Sequence, residues 1–284
     1  MKLKPLETGQ KLMALRKTKD LDTITNKKLS IQISLSGLSF CILNVIKNTI
    51  TNLEHIAFEK KVNPFEALER LMHYFDTRDY LQEQFDDILI IHQNDLSTLV
   101  PKTLFNEDYL ADYLKFNSKI LKSDYLSYDT LKYNDSINVY VPYVNINNYI
   151  YDVFGEFTYK HASTILIDNI LKMESHKNAA KAYVHISEKH FEIIALENGK
   201  LKLYNTFEYN NSEDFIYYLL FTLEQLNYDP EEIDIALIGN ISEEDDVYKM
   251  AYKYIRHTTI ETISNNAPHD TETKHSNYII TNSF

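Results

Sequence analysis

Four carboxylates stand in a row at Glu243, Glu244, Asp245 and Asp246. Paired acids are what a metal-dependent nuclease uses to hold its ions. Here they precede an apolar-periodic stretch, so they read as the first turn of a helix, where the dipole favours negative charge. His185 and His190 bracket a hairpin turn. A hairpin can bring two imidazoles together, but a zinc site needs further ligands and none is evident nearby. His161 lies near the end of an expected strand, as a satisfied histidine or a contact between halves. Cys41 is the sole cysteine, which excludes an internal disulfide and any cysteine cluster. Inside a strand pattern it reads as a core residue. The chain has five glycines and no P-loop, Gly-x-Ser-x-Gly, His-Glu-x-x-His or dinucleotide fingerprint.

Charge narrows the partners. The 284 residues carry a formal net charge of −12. Residues 1–28 hold eight Lys/Arg against three Asp/Glu, a net of +5, so the remainder carries −17. A body this acidic repels phosphate backbones, and no nucleic-acid partner is expected. The basic stretch 1–28 reads as a solvated, flexible leader. It lacks the apolar core of a signal peptide, because Leu12, Met13, Ala14 and Leu15 are followed at once by Arg16 and Lys17. No run is long and apolar enough for a transmembrane segment. With one cysteine, the expected compartment is a reducing cytoplasm. The 22 tyrosines read as compositional bias spread through core and surface, with an interaction face as the alternative.

The elements that would position such residues follow from periodicity. Residues 29–35 alternate apolar and polar, which predicts a half-buried strand. Ser36-Gly37 turns the chain into a second strand over 38–45, and 49–58 supplies a third. Asn63-Pro64 opens a helix, with Asn63 as N-cap and Glu66 at the capping-box position. A short apolar run at 88–91 predicts a strand covered on both faces. Asn106 is expected to cap a helix running through Phe116. Strands at 137–141 and 157–162, with helices over 149–154 and 164–173, complete the first half. The pattern then restarts. Strands are expected at 182–186, 191–196 and 201–207, the last two joined by the Asn198-Gly199 turn. Ser212 is expected to cap a helix to about Leu226. A strand at 233–238 follows, then a helix opened by Ser242 and Asp245, and a short strand near Ile260. Residues 263–284 read as a polar tail, in which Tyr278-Ile279-Ile280 could pair with a sheet.

Each half therefore reads strand, strand, strand, helix, strand, helix. This predicts an α/β protein with a duplicated, actin-like (ribonuclease H-like) architecture: two mixed five-stranded sheets flanked by helices, with a cleft between them. The subdomains are placed at 29–173 and 180–262. One large α/β domain is the alternative.

Several segments carry a resemblance. Leu29-Ser30-Ile31-Gln32-Ile33-Ser34-Leu35, Leu99-Val100-Pro101 with Leu104-Phe105, Tyr183-Val184-His185-Ile186, the stretch from Leu201 to Tyr209, and Asp214-Phe215-Ile216-Tyr217-Tyr218-Leu219-Leu220-Phe221 resemble an uncharacterised bacterial family, domain of unknown function 3822. The resemblance runs from about residue 29 to 260. It implies an actin-like ATPase fold and no particular activity.

An actin-like ATPase clamps phosphate between two hairpins, with acids that order magnesium and its water and turn N–H groups that hold phosphate. At the first hairpin, Ser34 occupies the acid position and Ser36 and Gly37 the turn. At the second, Ser187 stands before Glu188 and Lys189, with neither Gly nor Asp. Gly239, after a late strand, falls where an adenosine would lie. Ser34, Ser36, Gly37, Ser187 and Gly239 are thus the positional candidates for a weak nucleotide site. With the acid missing and Glu188 adding repulsion, the leading expectation is a non-catalytic interaction or scaffold protein on a degenerate actin-like ATPase fold. It would need no cofactor and would work through a protein partner or self-association. A divergent ATP-binding protein or slow ATPase using ATP and Mg is the alternative, and a ribonuclease H-like nuclease the third reading.

Overall fold

The computed structural model describes residues 10–11, 24–175, 177, 179–261 and 277–284. The described chain forms two compact units, divided after Leu166, with Ile279–Phe284 returning to the first.

The first unit is built on a mixed sheet. Strand β1 (Gln10–Lys11) is a two-residue edge piece, and β2 (Lys27–Ile33), β3 (Gly37–Asn44) and β4 (Thr49–Ala57) form an antiparallel meander. Helix α1 (Pro64–Thr77) begins as its sequence dictates. The Asn63 side chain accepts from Phe65 N at 2.9 Å and Glu66 N at 3.0 Å, while Glu66 reaches back to Asn63 N at 3.2 Å. It buries Ala67, Leu71 and Phe75 against the sheet's Leu29, Ile31 and Phe40. Each such large side chain removed from water stabilises the fold by roughly 1.5–3 kcal/mol. Strand β5 (Asp87–His92) then runs parallel to β2.

Between β5 and the next core strand the chain inserts a small antiparallel sheet. It comprises β6 (Ser97–Pro101), β7 (Ser127–Thr130) and β8 (Ser136–Tyr140) in the order β6-β8-β7, with the short helix α2 (Leu110–Leu114) between β6 and β7. Helix α3 (Val144–Phe154), strand β9 (Thr158–His161) and helix α4 (Ala162–Glu174) follow. The first sheet has the order β1-β9-β5-β2-β3-β4.

The second unit repeats the plan without the insertion. Strands β10 (Lys181–Ile186), β11 (His190–Glu197) and β12 (Lys200–Glu208) form the meander. Helix α5 (Ser212–Gln225), strand β13 (Asp234–Gly239), helix α6 (Asp246–Tyr254) and strand β14 (His257–Ile260) complete it. The sheet order, β12-β11-β10-β13-β14, matches β4-β3-β2-β5-β9 strand for strand, with β13 parallel to both β10 and β14. Its core packs Phe215, Leu219 and Leu223 of α5 onto Val184, Ile193 and Leu237. The expected duplication is present, each half carrying a mixed sheet of five core strands.

Several expectations need correction. The 29–35 strand starts two residues earlier and is covered on both faces: Ser30 is fully buried, its hydroxyl 2.8 Å from that of Ser283. Residues 278–280 do not pair with a sheet. They lie in a helical turn, α7 (Tyr278–Thr281), with all three side chains buried. The expected helix through Phe116 breaks into a 3-10 turn at Glu107–Tyr109 and the single turn of α2. The cap of α5 is Asn211, whose side chain accepts from Asp214 N at 2.7 Å, not Ser212. Ser242 does not cap α6; it donates to Asp245 Oδ2 from its N–H (2.7 Å) and hydroxyl (3.0 Å). Only Asp246 of the acidic run lies in the first turn of α6, since Glu243, Glu244 and Asp245 precede it. Lys27 and Lys28, read as leader, belong to β2. Leu12, Met13 and Leu15 lie outside the described residues, as does most of the expected polar tail.

Candidate functional site

In open α/β sheets, ligands bind beyond the carboxyl ends of the parallel strands. In the first unit that edge holds Ser34 after β2, His92 ending β5 and His161 ending β9, the two histidines paired in register. In the second it holds Ser187 after β10 and Gly239 ending β13. Of the five candidates, Ser34, Ser36 and Gly37 lie in one unit, with Gly37 the first residue of β3, and Ser187 and Gly239 lie in the other.

Their polar groups are largely engaged within their own turns. The Ser34 hydroxyl lies 3.1 Å from the Gly37 carbonyl and 3.1 Å from Ser36 Oγ, and accepts from Ser36 N at 3.2 Å. Ser34 N donates to Gly37 O at 3.0 Å. This is a serine closing its own turn. Ser187 N donates to His190 O at 2.9 Å, and the Ser187 carbonyl accepts from the Tyr209 hydroxyl at 2.8 Å. Asn240 N donates to Ile186 O at 2.7 Å.

The glycines have packing reasons. A Cβ on Gly37 would stand 2.7 Å from the Ile56 carbonyl oxygen of the neighbouring strand. Gly239 has φ +95°, and a Cβ there would stand 2.4 Å from Ile186 O. Both are needed for close backbone approach within their sheets.

His185 Nδ1 pairs with Glu192 Oε2 at 2.6 Å across the β10–β11 ladder, both side chains buried. Among the described residues no group of three or more His, Cys, Asp or Glu is placed to hold a metal ion.

Among the described residues a dense buried polar cluster surrounds His161, and of its members the sequence singles out only that histidine. Asp129 on β7 accepts from Tyr140 OH (3.1 Å), His161 N (2.9 Å) and Thr164 Oγ1 (2.8 Å). Burial still pushes its carboxyl up to about 6. Asn138 donates to Ser163 Oγ and Thr164 Oγ1, each at 2.9 Å, and its Oδ1 has no partner. His161 Nδ1 receives Ser163 N at 3.2 Å and lies 2.7 Å from Ser163 Oγ. A backbone N–H can only donate, so Nδ1 accepts and Nε2–H faces the Asn94 carbonyl at 3.2 Å. His92 follows the same logic, accepting from Tyr143 N and donating to Asn147 Oδ1 at 3.0 Å. Burial, with His161 nearby, holds His92 down at about 3. Ser163 beside His161 superficially resembles a nucleophile and its base. Ser163 is fully buried, however, so no substrate reaches it. The sequence signal was available in part: Asn138 stands between Ile137 and Val139 in a strand pattern, where a polar residue needs a buried partner.

A depression of about 390 Å³ in the second unit is lined by Lys181, Asp234, Arg256, His257, Thr258, Thr259 and Glu261. It includes none of the five candidates. Lys181 is already paired there with Glu261 at 2.6 Å. Among the described residues no helix is long and apolar enough to cross a membrane.

The repeated β-β-β-α-β-α-β topology, with its two matching sheets, is the actin-like ATPase fold. The chain is similar to a Bacteroides thetaiotaomicron protein of that fold and unknown function, with 24% identity and a TM-score of 0.76, covering 86% of this chain and 94% of that one. It is also similar to a chain of the PilM–PilN type IV pilus biogenesis complex, with 9% identity and a TM-score of 0.54, covering 90% and 95%. No curated protein matched this sequence. The chain belongs to the family described as Protein of unknown function (DUF3822), whose model matches residues 16–258.

Proposed function

We propose that this protein is a non-catalytic interaction or scaffold protein, built on an actin-like ATPase fold whose nucleotide clamps have degenerated. The observation that carries this reading is the state of the first clamp. Ser34 stands at the acid position, and its hydroxyl is spent on closing its own turn with Ser36 and Gly37. A magnesium triphosphate needs a carboxylate to order the metal's water shell and donors to offset several negative charges. In this reading the second hairpin adds Glu188 in its turn, whose charge would repel a phosphate. Gly37 and Gly239 are accounted for by backbone approach within the sheets, so neither glycine argues for a phosphate loop.

The working partner in this reading is another protein, and the working compartment the cytoplasm. PilM, a fold neighbour, occurs in a complex with PilN, which supports a partner-binding role for such a fold. Isothermal titration with Mg-ATP tests the cofactor side of the proposal. The expected result is no saturable heat. Saturable binding, weakened by Ser36→Asp, would favour a divergent ATP-binding protein instead.

A further inference from the structure

Helix α5 carries an aromatic pair that its own unit does not cover. Its inner side buries Phe215, Leu219 and Leu223. Its outer side presents Tyr217, 63% exposed, and Phe221, 47% exposed, one turn apart. Hydrophobic side chains of this size at adjoining exposed positions mark interaction surfaces more often than single exposed apolar residues do.

The pair is held in place rather than loose. The Tyr217 and Phe221 rings stack at 6.3 Å and 16°, and Tyr217 sits edge-on to Tyr218 at 5.3 Å. Tyr218 in turn stacks on Phe207 at 5.1 Å, and Phe207 on the fully buried Phe191 at 5.4 Å. A run of rings thus connects the core to the surface. Rings fixed in this way lose little freedom on binding, which favours affinity.

Charge selects the occupant. Glu213, four residues before Tyr217, and Glu224, three after Phe221, share the outer face with the two rings. Helix α5 contains no Lys or Arg, and residues 212–254 carry eleven Asp/Glu against two Lys. An aromatic pair between two carboxylates suits a segment that offers guanidinium or ammonium groups beside apolar side chains. The cations would lie over the rings and against the carboxylates, and the apolar groups would cover the ring faces.

We propose that the outer face of α5 docks a basic, apolar-bearing segment of a partner protein, through Tyr217 and Phe221 with Glu213 and Glu224 as the charged rim. This rests on the interaction-protein reading and names its surface.

The test uses the full chain and two labelled synthetic peptides of equal positive charge. One carries Leu beside its Arg residues along one helical face, and the other has Ser in place of Leu. The expected result is that the Leu peptide binds roughly tenfold or more tightly than the Ser peptide, as anchor aromatics of this kind confer. The combined Tyr217→Ala and Phe221→Ala variant should lose that preference while keeping its circular dichroism spectrum. The combined Glu213→Gln and Glu224→Gln variant should weaken both peptides and flatten the salt dependence. A preference that survives loss of the rings overturns the proposal. So does sedimentation showing that the natural chain self-associates through these rings, which would make a second copy the occupant. It also falls if binding emerges only after deletion of residues 1–23, which would make the chain's own basic segment the occupant. None of these outcomes touches the interaction-protein reading, which ATP binding and turnover decide separately.

Discussion

Gly239→Ala separates a packing role from a ligand-binding role at the end of β13. The residue has φ +95°, in the region that L side chains avoid. A β-carbon there costs about 1–2 kcal/mol in backbone strain. It would also stand 2.4 Å from Ile186 O and 3.0 Å from Ile186 N, where ordinary contact begins at 3.4 Å. Both atoms belong to β10, which pairs with β13 through Ile186 and Gly239. Opening that approach by about an ångström is overpacking against backbone, worth a further ~1–3 kcal/mol. The expected loss is about 2–5 kcal/mol, a large share of the stability of an ordinary domain. Gly155→Ala is the matched control, because Gly155 has φ +79° but nothing within 4 Å of its added carbon. Only the strain should appear there. Urea denaturation followed by far-ultraviolet circular dichroism reads both, and the Gly239 midpoint should fall clearly further than the Gly155 midpoint. Equal midpoints would refute the argument and return Gly239 to the list of residues kept for a ligand.

Three further outcomes follow from the buried groups. His92 is held down at about 3 in the fold, against about 6.5 unfolded, so its contribution is complete above about 6.5 and is lost as pH falls toward 3. His92→Gln should therefore lose less stability than the natural protein between pH 7 and pH 4, a difference on the order of 4 kcal/mol at its limit, read from urea midpoints. Asp129 runs the other way. Its carboxyl is pushed up to about 6, so its contribution is complete below about pH 4 and is lost as pH rises through 6. The stability deficit of Asp129→Asn should accordingly shrink between pH 4.5 and pH 7.5, and a deficit that grows over that range would contradict the assignment. The Cys41 thiol, fully buried and pushed up to about 12, should resist an aromatic disulfide reagent in the native protein and react promptly in denaturant.

The parts of the fold that are written locally were legible in the sequence. The capping box at Asn63 and Glu66, the Asn198-Gly199 turn and the apolar runs of β5 and β13 each depend on neighbours a few positions away. They placed the strands and helices that define the duplication. The sequence pattern predicts only 149–154 of helix α3, because Asn145, Asn147 and Asn148 dilute its apolar periodicity. Asn147 is instead buried against His92, and Asn145 donates to the Pro64 carbonyl at 2.7 Å. Strand β7, with the sequence Ser-Tyr-Asp-Thr, shows no strand pattern because its buried Asp129 answers to His161 and Thr164, more than thirty positions away. The carboxyl-edge positions of Ser34, Ser187 and Gly239 were legible from the repeat. What their groups bond to was not, because turn closure by Ser34 and the approach of Gly239 to Ile186 are properties of backbone geometry.

The most direct test is phosphate release from the purified protein with ATP and magnesium, measured beside a heat-denatured control. The account predicts no release above that control, and none restored by Ser34→Asp alone, because the second clamp still carries Glu188. Magnesium-dependent release that saturates with ATP and exceeds the control would contradict it and establish the protein as a slow ATPase.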